Sequence, residues 1–310
     1  MSTTNTNGGR AFAAVMGLAA GAAYGVGGAI SQLVKTGGFE VGHIIVAQLL
    51  ASTIILGVLV LVRYRCKMTR KDIIQLAILG VISAISSYTY YIAIDMISVN
   101  QAVAMQFQYV WITVVIQALL DRKVPNIWVI ISAIAIIVGT FFGSGLFDDI
   151  MSGQTTMDPL GVFFAMVCAV CYAIFICFNG RIAVEVPSVT RTFFMSFGAL
   201  IFVVIMLPAA GTATGNIVDL VPGGIIMGLV MTIIPCVCIS VATNNLPGGI
   251  VGILTSSELP VAVIAGVILC GESTTFFKIL GIVIILVAIA LSELMQSKQN
   301  DGGESEAAAA

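Results

Sequence analysis

Charged side chains are scarce in this sequence. Asp, Glu, Lys and Arg together make up 9% of its 310 residues, whereas a soluble domain carries about 25% charged residues. Hydrophobic residues make up 59%, and the mean hydropathy is +1.10. The shortage of charge excludes an ordinary soluble protein and indicates a protein embedded in a membrane.

Other absences exclude several kinds of active site. The single histidine, His43, lies at the end of an apolar stretch, so an intramembrane hydrolase would lack its base or its metal ligands. No G-x-x-x-x-G-K-[ST] sequence occurs, so nothing supports direct coupling to ATP. The pair Cys168 and Cys171 lies inside an apolar stretch without a partner cluster. We therefore expect no enzyme, no cofactor, no metal site and no structural disulfide.

Long apolar stretches fill most of the chain. A membrane-spanning helix needs about 20 mostly apolar residues, and ten stretches meet this requirement, with nine as the alternative if two of them merge. The stretches are 11–34, 43–62, 73–95, 101–120, 127–146, 160–180, 189–211, 223–246, 250–270 and 276–296. We therefore predict an all-α integral membrane protein with ten transmembrane helices.

Basic residues are distributed unevenly between the two sides of the predicted bundle. If the chain starts in the cytoplasm, all Lys and Arg residues except Lys35 and Lys278 fall in cytoplasmic loops and tails. Cytoplasmic loops of membrane proteins carry such an excess. We therefore predict a multi-pass protein of the cytoplasmic (inner) membrane with both termini in the cytoplasm.

The connection between the fifth and sixth spans divides the chain into two halves of five spans. Since five is odd, the second half enters the membrane from the opposite side, as in the inverted repeats of secondary transporters. The predicted parts are a cytoplasmic tail (1–10), a first five-helix repeat (11–146), an extracytoplasmic linker (147–159), a second five-helix repeat (160–296) and a disordered cytoplasmic tail (297–310).

Glu258 is the one charged residue that lies deep inside an apolar stretch. Eight residues of helix, at about 1.5 Å each, place it about 12 Å into a hydrocarbon layer about 30 Å thick. Such a position costs about 2.5–3.5 kcal/mol, and the side chain usually faces a bundle interior or a water-filled path. Glu258 is therefore the leading candidate to bind a proton, a cationic amine or a polar solute, with a purely structural carboxyl group as the alternative.

The two halves place polar residues at corresponding positions. A shift of 150 residues pairs Gln108 with Glu258, and a shift of 148 pairs Tyr24 with Tyr172. In transporters built from inverted repeats, the substrate site lies near the midplane where the repeats meet. We therefore predict that Gln108 and Glu258 meet there and that the two tyrosines form part of the wall, with simple packing of the tyrosines as the alternative.

The fourth span carries two polar stripes, and only one of them can face a cavity. One stripe consists of Gln101, Met105 and Gln108, and the other of Gln106, Tyr109, Thr113 and Gln117. We favour the first stripe because of the pairing with Glu258. Further candidates for contact with a solute or a proton are Ser87, Tyr90, Tyr91 and Ser257, although neutral polar groups in membranes mostly join helices.

Prolines and glycines indicate where helices bend or approach each other. Pro235 and Pro260 lie in the middle of the eighth and ninth spans, where each removes a backbone hydrogen bond and predicts a kink. Gly17, Gly21 and Gly25 form two overlapping G-x-x-x-G steps in the first span. This pattern favours close helix packing over contact with a ligand.

These features resemble the drug/metabolite transporter superfamily, and specifically its EamA-type proteins. The half-repeat of that family ends with an acidic or polar residue, a proline, an apolar helix and a Gly-Glu pair. Here Glu258-Leu259-Pro260 is followed by Gly271-Glu272. Leu259 intervenes where proline commonly follows the acid directly, and the first half has Asp121-Arg122 in place of Gly-Glu.

The resemblance covers about residues 11–296. It implies alternating access around a midplane cavity between the third, fourth, eighth and ninth helices. We therefore predict a secondary-active transporter, with export favoured, of a small metabolite such as an amino acid or amine. Proton coupling through Glu258 is one mechanism for it.

Three other functions stay open at this point. A proton-coupled uptake carrier is the main alternative, and a channel or a non-transporting membrane subunit is a weaker one. The expected partners are a small-molecule substrate, the lipid bilayer and, in the coupled case, protons. No nucleic acid is expected to bind.

Overall fold

The computed structural model describes residues 6–35, 41–153, 158–206, 217–271 and 274–309. These parts contain fourteen α-helices and one π-helical turn. Glu272 lies outside these parts. The helices are α1 (Thr6–Lys35), α2 (Val41–Val62), α3 (Arg70–Met96), α4 (Val99–Gln106), α5 (Tyr109–Asp121), α6 (Ile127–Gly143), α7 (Leu146–Met151), α8 (Pro159–Asn179), α9 (Ser188–Met206), α10 (Ile217–Gly228), α11 (Ile234–Asn245), α12 (Gly248–Thr255), α13 (Glu258–Cys270) and α14 (Phe276–Ala309). The π turn, Leu229–Ile233, joins α10 to α11.

Ten helical segments correspond to the ten predicted spans. Within the described ranges, nine segments are long and apolar enough to cross a membrane, and Ile127–Gly143 is a shorter apolar helix. The fourth span consists of α4 and α5, the eighth of α10, the π turn and α11, and the ninth of α12 and α13. The predicted all-α membrane architecture is therefore confirmed.

Local capping explains where two of the spans of the first half begin. Thr69 and Asp72 form a capping box at the start of α3, and Ser98 and Gln101 form one at the start of α4. In each box, two side chains satisfy backbone N–H groups that the first helical turn leaves free. Gln101, which belonged to the favoured polar stripe of the fourth span, is therefore occupied as a cap.

The helices pack in pairs that repeat when the two halves are exchanged. The exchange replaces each span of one half by the span five places away in the other half. The third span packs on the sixth and seventh, and its counterpart, the eighth, packs on the first and second. The first span likewise packs on the ninth as the sixth packs on the fourth, and the fifth and tenth spans pack on each other. This exchange is the packing expected of an internally duplicated chain.

The two ends of the bundle carry different charges. At one end, which we call the basic end, α1 begins and α14 passes, and Arg10 Nε lies 3.3 Å from a carboxylate oxygen of Glu293. Arg181 also pairs there with Asp121. At the other end, the acidic end, Asp149 accepts hydrogen bonds from the Asn100 amide at 3.0 and 3.1 Å.

The fourth and ninth spans are both interrupted near their middle, and at equivalent positions. α4 and α12 each have 8 residues, α5 and α13 each have 13, and a shift of 149 residues superimposes the bounds of both pairs. The residues that follow, Arg122 and Gly271, both adopt the left-handed conformation, with φ of 52° and 69°. The structural repeat therefore pairs Tyr109 with Glu258, and corrects the predicted pairing of Gln108 with Glu258 by one residue.

The segments outside the two repeats contain more helix than we expected. The short helix α7 (Leu146–Met151) begins the linker, residues 6–10 belong to α1, and α14 continues as helical backbone to Ala309. Residues 297–309 were expected to be disordered. Extension of an existing helix needs no new nucleus. The Ala and Glu residues of this tail favour helix, whereas Gly302 and Gly303 disfavour it.

Candidate functional site

A cavity of about 310 Å³ lies between α1, α3, α4, α8 and α13. Glu258, Tyr24 and Tyr172 line its inner part, and Asn100 and Lys278 line it at the acidic end. The cavity therefore extends from the middle of the bundle to one end. Of the walls that the family resemblance implied, the third, fourth and ninth spans are present. The eighth contributes only Met231 among the described residues, and the first and sixth spans contribute two residues each.

The interruption of the ninth span positions Glu258. Ser256 and Ser257 make tight 3₁₀-type backbone bonds at the end of α12, and Pro260 has no N–H to offer the Ser256 carbonyl group. Glu258 is the first residue of α13 and lines the cavity. The positive end of the helix dipole at this position favours a negative charge. Among the described residues, no basic side chain lies within ion-pair distance of the carboxyl group.

Four tyrosines from four different spans lie in or beside the wall of the cavity that Glu258 lines. Tyr24, Tyr90 and Tyr172 line the cavity, and Tyr109 packs against Tyr172. The Tyr172 ring centroid lies 4.7 Å from that of Tyr109 and 6.1 Å from that of Tyr24, both with edge-to-face geometry. Such pairs stabilise the arrangement of the rings beyond the burial of their area. Glu258 therefore shares the cavity with a group of tyrosines, which we call the aromatic enclosure.

The hydroxyl groups of these tyrosines differ in their partners. The Tyr109 hydroxyl lies 3.2 Å from Oγ1 of Thr255, and the Tyr24 hydroxyl lies 4.0 Å from Sγ of Cys236. The Tyr172 side chain is only 7% exposed, and its hydroxyl has no hydrogen-bond partner among the described residues. A buried polar group without a partner costs about 1–3 kcal/mol. This hydroxyl is therefore available to a ligand in the cavity.

Glycines of α1 hold that helix against the broken part of the ninth span. A Cβ atom at Gly21 would overlap Oγ of Ser257 and the carbonyl oxygen of Thr255, and one at Gly25 would overlap the carbonyl oxygen of Glu258. A backbone approach this close is possible only without side chains. The G-x-x-x-G steps therefore serve helix packing and support the position of Glu258.

Most of the predicted site residues lie together in the structure. The residues that line the cavity are Tyr24, Ser87, Tyr90, Tyr91, Tyr172 and Glu258. Ser257 does not line it, because its hydroxyl donates a hydrogen bond of 2.9 Å to the Leu18 carbonyl group and joins α13 to α1. Ser257 thus takes the role of helix contact that was its alternative.

Gln108 is a second predicted site residue that lies outside the cavity lining. Its amide donates to the Ala104 carbonyl group at 3.1 Å and accepts from Trp111 Nε1 at 3.0 Å, on a side where Trp111 is 40% exposed. The interruption between α4 and α5 turns this stripe away from the cavity. The prediction that Gln108 faces Glu258 is therefore corrected.

The other stripe of the fourth span faces the interior. Gln106 lines the cavity, Tyr109 and Thr113 are fully buried, and Gln117 accepts a hydrogen bond from the Gly248 N–H at 3.2 Å. The periodicity of the sequence contained this stripe as an alternative. Only its place relative to the ninth span distinguishes it from the stripe that we favoured.

The two mid-span prolines both lie directly after irregular backbone. Pro260 follows the break between α12 and α13, and Pro235 follows the π turn Leu229–Ile233. In the first half, the break between α4 and α5 occurs without a proline, and α3 is one continuous helix. Irregular backbone therefore precedes both prolines, and the kinks expected at Pro235 and Pro260 stay a prediction. A proline is not required for the break.

Arg191 is a buried charge near the basic end, at the start of the seventh span. The side chain is fully buried in α9 and donates to Oδ1 of Asn179 and Oδ1 of Asn244, each at 2.8 Å. It also donates to the backbone carbonyl group of Asn179, the last residue of α8. Helix carboxyl ends favour a positive charge. Arg191 therefore joins the ends of α8 and α11 and lies outside the lining of the cavity.

The chemistry available in the cavity is that of binding and proton transfer. It contains the Glu258 carboxyl group, several phenols and serine hydroxyls, the Cys168 thiol and the amides of Asn100 and Gln106, with the Lys278 ammonium group at the acidic end. Throughout the described ranges, no three His, Cys, Asp or Glu side chains lie close enough to hold a metal ion. These groups suit recognition of an amine or another polar solute.

Sequence comparison agrees with this arrangement. A profile of the EamA-like transporter family matches residues 11–144 and again residues 159–294. The chain belongs to the EamA-like transporter family. The two matches correspond to the two structural halves, so the chain contains an internal duplication. It is a transporter-family membrane protein and not an enzyme.

Characterised relatives and a solved structure are similar over most of the chain. The threonine/homoserine exporter RhtA of Escherichia coli K12 is 26% identical over 249 residues, which are 79% of this chain and 81% of the relative. That of Salmonella typhimurium SL1344 is 25% identical over 240 residues, 75% and 77% of the two chains. A crystal structure shares the fold with a TM-score of 0.77 and 13% identity, and the match covers 94% of this chain and 99% of the other.

Proposed function

We propose that the protein is a secondary-active exporter of a small amino acid or amine, and that Glu258 binds the amino group of the solute in exchange for a proton. The observation that carries this proposal is the carboxyl group of Glu258, which lines the cavity and has no basic side chain within ion-pair distance in the described parts of the chain. The similarity to proteins named threonine/homoserine exporters supports a solute of this size and polarity.

The distribution of basic residues supports an orientation with the basic end in the cytoplasm. The cavity then faces the extracytoplasmic side, because its lining reaches the acidic end at Asn100 and Lys278. On the cytoplasmic side, Gln117 bonds to Gly248 and Asp121 pairs with Arg181, so contacts between the two halves close the path. The structure described here is, in this proposal, the outward-facing state.

A single carboxyl group can couple solute transport to proton transport, because it binds either a proton or the ammonium group of the solute but not both. A bare carboxylate in a low-dielectric interior is costly unless a proton or a cation neutralises it. Two loaded forms can therefore change orientation readily, the form with a proton and the form with an ammonium group. Export follows when a proton from outside displaces the solute and is released in the cytoplasm, where the next solute binds.

The aromatic enclosure supports selection of the rest of the solute. The hydroxyl of Tyr172 has no partner within the described structure, and it can donate a hydrogen bond to the carboxylate of an amino acid. Gain of that bond removes the cost of an unpaired buried hydroxyl. A zwitterionic solute thereby satisfies both Glu258 and Tyr172.

The proposal is tested by flux measurements on purified protein in liposomes. Liposomes are loaded with labelled L-threonine or L-homoserine, and efflux is measured with and without an inwardly directed proton gradient. We expect the gradient to accelerate efflux in the wild type, and we expect Glu258→Gln to abolish that acceleration because the amide can exchange neither a proton nor an ammonium group.

Glu293→Gln is the matched control, since it removes a carboxyl group that pairs with Arg10 at the basic end and lies outside the cavity. Efflux by this variant should retain its response to the gradient. Normal gradient-driven efflux by Glu258→Gln would refute the proposed role of the carboxyl group. Flux that does not saturate with solute concentration would indicate a channel instead.

A further inference from the structure

A second cavity, of about 90 Å³, adjoins the first on the side of α2 and α9, and we call it the inner pocket. Both cavities are lined by Tyr24, Ser83, Ser87, Tyr91 and Met231. The two cavities therefore adjoin at these side chains, two of which are small serines.

The lining of the inner pocket is mainly apolar, with several neutral polar groups and no charged side chain among the described residues. Gln48 and Thr232 both line it, and the Gln48 amide donates a hydrogen bond of 2.9 Å to Oγ1 of Thr232. Ser83, Ser87 and Ser196 contribute further hydroxyl groups. An amide and hydroxyls both donate and accept hydrogen bonds, so they recognise an uncharged polar group rather than an ammonium or a carboxylate.

Irregular backbone on the eighth span presents part of this pocket. Met231 and Thr232 both belong to the π turn, where the Ile234 N–H bonds back to the Leu229 carbonyl group. Pro235 follows and cannot donate to the Met231 carbonyl group four residues earlier. The equivalent third span has no such turn, because α3 is continuous. π turns inside α-helices occur frequently at functional sites.

The size of the pocket limits what it can receive. A water-sized group occupies about 30 Å³, so about 90 Å³ accommodates about three heavy atoms. That matches a short side chain with one hydroxyl or amide group, and it is too small for an aromatic side chain.

We propose that the inner pocket is a specificity subsite that receives a short, hydroxyl-bearing side chain of the solute, recognised by Gln48 and Thr232. This inference rests on the proposed function, in which the amino group of the same solute is held at Glu258. Besides the bond between them, Gln48 retains a carbonyl oxygen and Thr232 a hydroxyl proton that can bond to the hydroxyl group of the solute. A side chain of equal shape without the hydroxyl buries these groups without such a partner and binds less well.

The test compares three labelled amino acids in liposomes that contain the full-length protein. L-Threonine and L-valine have nearly equal shape and differ by the hydroxyl group, and L-alanine is too short to enter the pocket. We expect the wild type to prefer threonine to valine at least tenfold in kcat/KM. Thr232→Val and, independently, Gln48→Leu should reduce this ratio to below about threefold and lower threonine flux more than alanine flux.

Thr243→Val is the matched control. Thr243 lies on the same span, is buried, and donates to the Ile239 carbonyl group at 2.7 Å, but it lines neither cavity. This variant should keep the threonine-to-valine ratio of the wild type. Thermal unfolding of each variant shows whether it is folded.

Three results would overturn the subsite and leave the proposed function in place. The first is transport of alanine by the wild type without discrimination between threonine and valine. The second is a threonine-to-valine ratio that both pocket variants preserve. The third is a loss of alanine flux in these variants as large as their loss of threonine flux. A wild type that carries none of the three amino acids would overturn the proposed function and the subsite together.

Discussion

The fourth and ninth spans have the same backbone but different chemistry. Each consists of a helix of 8 residues, an interruption and a helix of 13 residues. At the first residue after the interruption, the fourth span has Tyr109, which bonds to Thr255 within the protein, and the ninth has Glu258, which lines the cavity. Duplication thus accounts for the geometry of the site, and a single substitution between the copies accounts for its charge.

The helices that pack on these two spans differ in the same systematic way. α1 presents Gly17, Gly21 and Gly25 to the ninth span, and a shift of 148 residues places alanines at the corresponding positions of α8. The three alanines are fully buried. α1 therefore approaches the ninth span more closely than alanine would allow, whereas α8 does not approach the fourth span as closely.

The largest effect is expected where this difference in packing is reversed. Gly21→Ala should prevent recovery of folded protein, because the new methyl group overlaps backbone atoms of the ninth span that have no flexible side chain to move. The reverse change at the corresponding site, Ala169→Gly, should leave folded protein and cost about 0.5–1 kcal/mol from helix propensity. Yield of monodisperse protein in detergent and its melting temperature measure both effects.

Gly9→Ala is the control for that comparison, since a Cβ atom there meets nothing within 4 Å. It should express as the wild type does. A folded and stable Gly21→Ala variant would contradict the close approach of α1 to the ninth span.

A second comparison concerns the two residues after the interruptions. Glu258→Gln should lower gradient-driven efflux at least 100-fold, whereas Tyr109→Phe should lower it no more than about tenfold. The Tyr109 hydroxyl makes one neutral hydrogen bond, worth about 0.5–1.5 kcal/mol. Initial rates in liposomes over a range of external pH measure both. Equal losses in the two variants would show that the copies are functionally equivalent.

The smallest effects are expected at the residues that end α5 and α13. Arg122 and Gly271 both have positive φ, and glycine adopts this conformation at no steric cost. Arg122→Gly should therefore stabilise the protein by about 0.5–1 kcal/mol, and Gly271→Ala should destabilise it by about the same amount. Differential scanning calorimetry of the purified variants shows whether each change raises or lowers stability. A change of the same sign at both positions would refute the equivalence of the two helix ends.

Much of the fold could be predicted because hydropathy is a local property of the chain. The ten spans, the division into halves and the isolated position of Glu258 required only the order of apolar and polar residues. The pairing of Tyr24 with Tyr172 also followed, and their rings lie 6.1 Å apart.

The alignment of the halves at the fourth span was less accurate. Equivalent interruptions, and not equal sequence spacing, determine which residues correspond, so Tyr109 rather than Gln108 is the counterpart of Glu258. Polar residues in both stripes have similar hydropathy. No property of the span alone distinguishes the stripe that bonds to Ala104 and Trp111 from the one that faces the ninth span.

The sequence by itself determined that this chain is a membrane protein of ten spans with one carboxyl group deep inside a span, since burial in hydrocarbon depends on composition along the chain. Only the tertiary structure decided what surrounds that acid. The tyrosines of the aromatic enclosure come from spans far apart in sequence, and the close packing of α1 and the backbone breaks bring them together. Those contacts are long-range and carry no periodic signal.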